Sequence, residues 1–231
     1  MKRFWKEVTF CRREGGWTIE LDGKPVRTPA RALLQLPTEE LARAIAGEWR
    51  AVEDRIDPRA MPLTGLANAA IDRIAPDRSS FAAGLARYAE ADLACYRAEG
   101  PRELVVRQEK SWDFLLGWAR RHFDIDFATT SGILHVPQPE ATVNRLAHAI
   151  AALRPFQLAG LSPLVTIGGS LLVALAVLEK AIEPSRAWEI VTLDEQWQLE
   201  KWGSDAVLEV TLGNRKRDFL AAAEFLDLVG E

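Results

Sequence analysis

The chain has only two cysteines and three histidines, and it lacks both a basic excess and a long unbroken apolar run; each shortage removes a class of protein. Cys11 and Cys95 lie far apart without metal-ligand spacing, so they read as two reduced thiols in a reducing compartment. His122, His135 and His148 recur every 13 residues, which makes no i, i+4 pair, and no metal or other cofactor is expected. A net charge of −4 argues against nucleic acid or an anionic membrane as partner, since neutralising phosphates takes a basic patch. Leu161–Leu178 is free of charge over 18 positions, but Pro163, Gly168 and Gly169 interrupt it. A bilayer span needs roughly 20 continuous apolar residues, so this stretch reads as a buried core helix, with no membrane insertion. The opening MKRFWKEVTF has neither the apolar core nor the cleavage site of a targeting peptide. The expected location is the bacterial cytoplasm, or the mitochondrial matrix for a processed eukaryotic form.

What is present is a globular composition, 48% hydrophobic and 27% charged, over 231 residues. Tryptophan is heavily used, eight against two tyrosines. Trp188, Trp197 and Trp202 fall in residues 179–231, where 12 acids stand against 6 bases. That quarter suits either a solvated acidic face or a basic partner surface.

The spacing predicts an α+β protein: a small N-terminal antiparallel β meander with a helix, over 1–76, then a larger all-helical domain over 77–231. Val8 and Phe10 mark a first strand, and Trp17, Ile19 and Leu21 a second, between the turn signals Glu14-Gly15-Gly16 and Asp22-Gly23. Pro25–Thr28 and Leu33–Leu36 suggest two short strands more. Thr38 caps a helix with Glu39 and Glu40 in its first turn and Leu41, Ile45, Trp49 and Val52 as its stripe. Another helical segment covers Leu63–Ile74. Beyond Pro76, Ser79 or Ser80 should cap a long helix with Phe81, Leu85, Tyr88 and Tyr96 on one face. Trp112, Leu115, Leu116, Ala119 and Phe123 mark the next helix, Phe127–Val136 a strand or extended loop, and Val143, Leu146, Ile150 and Leu153 a further helix. Pro184 opens another, and Phe219, Leu220, Ala223 and Leu226 lie on the last.

Two acids sit where apolar residues are expected. On a helix, Glu200 shares a face with Leu193 and Trp197, and the other side carries Trp188, Leu199 and Trp202. Asp92 follows Phe81, Leu85 and Tyr88 at i+11, i+7 and i+4. A buried carboxylate requires an Arg or Lys partner, a set of hydrogen bonds, or a raised pKa. Asp92 reads as a structural buried acid, with an ion pair the leading expectation. Glu200 belongs either to a core element with a buried pair or to a partner-binding element. A hydrolase or transferase using Asp92 and Glu200 in a helical pocket is the alternative from another class. Ser170, in VTIGGS, matches neither a nucleophile elbow nor a phosphate loop; its glycines suit close packing or a helix break.

Five segments in order, LDGKPVRTPA (Leu21–Ala30), LPTEELARAIAGEW (Leu36–Trp49), MPLTGLANAAIDRI (Met61–Ile74), YAEADLACYRA (Tyr88–Ala98) and LDEQWQLEKWG (Leu193–Gly203), resemble the assembly-chaperone family for the α subunit of the F-type ATP synthase catalytic head. The resemblance implies a β-containing N-terminal domain, a helical C-terminal domain and a non-enzymatic role. That role is to hold the unassembled α subunit transiently, shielding its β-facing surface from aggregation until a β subunit takes over. It also makes Glu200 the family's sensitive acid. The expected client surface is the acidic, Trp-rich helix Pro184–Trp202, through Glu200, Trp197, Trp202, Asp194 and Glu195, on a chain expected to be monomeric. Strand addition at the meander's edges is a second possible mode. The chain departs from the family pattern after Gly203, where VLEVTL (Val207–Leu212) leans towards β and puts the last helix's start and any contacts of residues 204–214 in doubt.

Overall fold

The computed structural model describes residues 2–203 and 206–230, which group by contact into two compact units. The expected division was contiguous at residue 76. By contact the first unit comprises residues 1–78 and also takes in 154–160 and 224–231, and the second holds 79–153 and 161–223.

In the first unit, β1 (Val8–Arg13) and β2 (Gly16–Leu21) pair antiparallel in register from Val8 opposite Leu21 to Arg13 opposite Gly16. The other edge of β2 is shared. β3 (Lys24–Pro25) lies opposite Glu20 and Leu21, and β4 (Gln35–Leu36) opposite Trp17 and Thr18. The chain returns to β2 because the Thr28 and Ala32 backbones bond across their loop and Arg27 bridges Leu33. Both short strands are narrower than the sequence suggested. Helix α1 (Glu39–Ala51) packs on the sheet with Leu41 and Ile45 fully buried, and Thr38 caps it by accepting from the Leu41 amide at 3.2 Å. α2 (Pro62–Ala69) runs on into a π turn, Ala70–Ile74. Its N-terminus is capped from α1: Glu48 accepts from the amides of Leu63 and Thr64, both at 2.8 Å, and from the Thr64 hydroxyl at 2.6 Å. Burial raises the Glu48 pKa despite these bonds. Gly160 is a close approach. A Cβ there would come within 2.7 Å of Leu226 Cγ.

The second unit departs from the reading at α3 (Arg78–Ala86), which ends early. A 3₁₀ turn (Arg87–Ala91) follows, and Asp92 is extended at φ −67, ψ 138. The long helix through Tyr96 does not form, because Asp92 bonds its own downstream backbone instead. Ser79 and Ser80 lie within α3, not ahead of it. β5 (Tyr96–Arg97) pairs in parallel with β6 (Thr130–Ser131), inside the stretch read as strand or extended loop. α4 (Arg102–Phe123) buries Trp112, Leu115 and Ala119, and α5 (Glu140–Ala152) buries Leu146 and Ile150.

The apolar stretch expected as one core helix is two. α6 (Pro155–Gly168), whose first six residues belong to the first unit, ends at Gly169 with φ +66. Ser170 then caps α7 (Leu171–Leu178), accepting from the Val173 amide at 3.1 Å, and residues 171–177 are buried on every side. Among the described residues no helix is long and apolar enough to cross a membrane. The expected helix Pro184–Trp202 is likewise two, α8 (Pro184–Val191) and α9 (Leu193–Trp202). The break is at Thr192, whose hydroxyl donates to the Trp188 carbonyl at 2.7 Å. The β-leaning Val207–Leu212 forms the first turns of α10 (Ala206–Val229); Ser204 and Asp205 lie outside the described residues. Phe219 and Ala222 are fully buried further along α10, so packing there holds a helix that local propensity would not.

Candidate functional site

The candidate site is the face where α9 lies along α4. Glu103, Arg107 and Gln108 are at i, i+4 and i+5 on α4, and three side chains of α9 meet them. Lys201 Nζ reaches Glu103 Oε2 at 2.7 Å, Arg107 Nη1 reaches Glu200 Oε2 at 2.7 Å, and Gln108 Nε2 donates to Asp194 Oδ1 at 2.8 Å. Gln108 is itself fixed, because its Oε1 accepts from the Ala98 amide at 2.8 Å. Each partner is the one the geometry of the other helix offers. The carboxyl of Asp194 is pushed up by burial, against the Gln108 bond, with adjacent Glu195 adding to the rise. Glu103 is held below its usual range by the Lys201 ammonium.

Glu200 is not buried. Its side chain is 52% exposed, which overturns the expectation of an acid embedded in an apolar face. Leu193, Trp197 and Glu200 do lie on one unbroken helix, but the burial stops at Trp197, and the last turn of α9, with Glu200 and Trp202, is exposed. Trp188 belongs to α8, packed edge-on against Phe219 at 5.6 Å. Trp197 is buried, with its indole nitrogen unpartnered among the described residues and Lys201 Nζ 5.8 Å above its ring. Trp202 is 75% exposed and meets Trp197 edge-on at 5.9 Å. Glu195 faces a different neighbour. Arg215 of α10 donates to it at 3.2 Å and to the Ile167 carbonyl at 3.1 Å. Thus Glu200 and half-buried Asp194 face α4, Glu195 faces α10, and Trp202 is exposed at the end of α9 against the buried Trp197.

Asp92 is fully buried, and its partners are neutral. Oδ1 accepts from the Ala94 amide at 3.1 Å and the Ser170 hydroxyl at 2.8 Å, and Oδ2 from the Leu172 amide at 3.0 Å. The expected ion pair is replaced by bonds to the first turn of α7, whose dipole favours an anion there. Burial still raises its pKa, outweighing the bonds, and pushes the neighbouring Cys95 thiol up to about 12. The Asp92–Glu200 pairing required by the alternative reading does not form. Glu200 lines a surface cleft with Arg107 and Gln196, Asp92 is sealed behind α7, and they share no partner among the described residues. His122, His135 and His148 do not converge, and among the described residues no group of His, Cys, Asp and Glu could hold a metal ion.

Sequence reasoning missed Glu103, Arg107, Gln108 and Arg215. The polar i, i+4, i+5 face of α4 was a usable signal, but its partner helix was not identifiable.

A family model described as ATP12 chaperone protein matches residues 2–120. The mitochondrial protein atp12 of Schizosaccharomyces pombe is 26% identical over 219 residues, covering 88% of this chain and 74% of that protein. The crystal structure of Atp12 from Paracoccus denitrificans superposes with a TM-score of 0.94 at 41% identity, over 99% of this chain and 98% of that one. An aspartate-to-lysine mutant of the P. denitrificans protein gives the same TM-score and identity, covering 99% of this chain and 97% of that one.

Proposed function

The chain belongs to the ATP12 chaperone family, and from that premise we propose that it holds the unassembled α subunit of an F-type ATP synthase catalytic head until a β subunit displaces it. An α subunit without its β neighbour exposes an apolar interface that invites aggregation. A chaperone for it needs a surface of moderate size, part apolar and part charged, that can be given up again. The observation that carries this reading is the last turn of α9, where Trp202 is exposed on one side and Glu200, paired with Arg107 of α4, is half-exposed on the other. Tryptophan is among the residues enriched at interface hot spots. In this reading Glu200, Trp202 and Asp194 meet the client, Trp197 supports them, and the role is not enzymatic.

The test is co-expression with the α subunit of the same organism, followed by size-exclusion chromatography with and without β. A one-to-one complex that β dissolves supports the proposal. Aggregated α with no co-eluting chain sinks it, and a chain that stays in finished ATP synthase would instead be a scaffold subunit.

A further inference from the structure

We propose that α9 is a strap that closes on α4 in the free chain and lifts when the client binds, so that α4 and the client compete for the same side chains. This inference rests on the α-subunit reading above and names how its site is regulated. Asp194 and Glu200 are already committed: Gln108 donates to the first at 2.8 Å, and Arg107 reaches the second at 2.7 Å. A client that takes either carboxylate must displace its α4 partner.

The closed strap is lightly held. α9, described throughout, buries Trp197 and no other residue, whereas α7 buries residues 171–177 and α8 buries Ala187, Trp188, Ile190 and Val191. The side chains of the Arg107–Glu200 and Lys201–Glu103 pairs are between 42% and 66% exposed. Exposed pairs of this kind hold weakly, and salt screens them further. The apolar anchor carries a cost of its own. The Trp197 indole nitrogen has no partner among the described residues and regains water when α9 lifts. Half-buried Asp194 carries another, since burial pushes its carboxyl pKa up against the Gln108 bond. Both ends of α9 are jointed: the helix breaks at Thr192, and Gly203 has φ +82, a conformation that favours glycine. A helix with few buried contacts between two such joints is the kind of element that opens separately from its core. Only the opened fraction is competent to bind, so the closed contact lowers client affinity by that fraction. A weakened grip suits a client that a β subunit must later remove.

The experiment follows amide hydrogen exchange of the full-length chain by mass spectrometry, with α7 as internal reference, and pairs it with α-subunit capture. Residues 197–202 are expected to exchange at least ~100-fold faster than α7, and the ratio should rise at high salt. Glu103→Lys sets a second ammonium against Lys201 on an exposed face. It should speed α9 exchange and tighten capture, each about fivefold. Glu103→Cys with Lys201→Cys, in a Cys11→Ser background, accepts a bismaleimide bridge that pins the strap. The bridged protein should capture α at least ~10-fold more weakly than the same protein capped with N-ethylmaleimide. Exchange in α9 as slow as in α7, or equal capture by the bridged and capped proteins, overturns the strap while leaving the chaperone reading in place. Weaker capture by Glu103→Lys with a normal melting curve overturns it too. Failure of the wild type to capture α removes the chaperone reading and the client's part here together, and fast α9 exchange would then stand as an opening without a client.

Discussion

Asp92 and Glu200 look alike in the sequence and behave oppositely in the fold. Each follows a helical row of apolar residues, and each invited the same choice between a buried pair and a functional acid. Around Asp92 the chain stops being helical, and the carboxylate turns inward to collect two amides and a hydroxyl. Around Glu200 the helix persists, yet its face looks out, and the carboxylate meets an Arg on a neighbouring helix in solvent. The difference teaches that an acid on an apolar stripe reports on the stripe before it reports on the acid. Where the stripe is interrupted the acid becomes a cap, and where the stripe is misassigned it becomes a surface charge.

The sharpest break of this comparison is Asp92→Ala. It strands the amides of Ala94 and Leu172 and leaves a cavity behind the start of α7, so unfolding free energy should drop by about 3 kcal/mol or more. Urea denaturation followed by tryptophan fluorescence measures it. A loss under about 1 kcal/mol would mean that the cap is replaceable.

The pH dependence at Asp92 comes next in size. Its folded pKa lies above its unfolded one, so between the two the native state holds more protons, and stability is lost as pH rises through that window. Relative to Asp92→Asn, the wild type should gain stability as pH falls from neutral towards about 4, the ordinary aspartate range. Half-buried Glu48 and Asp194 have the same sign, so the comparison with the single Asn variant isolates Asp92. Parallel stability curves for the two proteins would contradict it.

Ser170→Ala is a milder cut at the same place. The hydroxyl both caps α7 through the Val173 amide and donates to Asp92, so about 1–2 kcal/mol is expected, read as a lowered melting midpoint. If the two sites act as one unit, the double variant with Asp92→Ala should cost less than the sum.

The particular elements show which parts of this were legible. Thr38 with Glu39 and Glu40, and the turns at Glu14-Gly15-Gly16 and Asp22-Gly23, placed the sheet and α1, because their signals are local. The breaks at Asp92 and Thr192 were not legible, since each arises when a short polar side chain captures a nearby backbone group instead of continuing the helix. Val207–Leu212 misled for the opposite reason: its β-branched residues belong to a helix whose stability comes from Phe219 and Ala222, seven or more residues on. At the candidate site, Glu200, Trp202 and Asp194 were named from their own segment. Arg107, Gln108 and Glu103 were out of reach because pairing between α4 and α9 spans more than 80 residues of sequence.

The smallest expected effect on stability, and the one that best separates the two acids, is at Glu200. Glu200→Lys sets an ammonium against Arg107 on an exposed face, where both side chains can swing into water. The change in unfolding free energy should therefore stay within about 1 kcal/mol. Had Glu200 been buried, the same substitution would have broken an internal pair and unfolded α9, which is the outcome an embedded acid predicts. Capture of the α subunit should nevertheless fall by ~10-fold or more, and Glu200→Gln, which keeps the shape and removes the charge, should fall part of the way. Matched melting curves and pull-downs on the two variants make the comparison direct. Intact folding with intact capture would return Glu200 to the status of an ordinary surface charge, whereas intact folding with lost capture would make it a residue whose energy is spent on the partner.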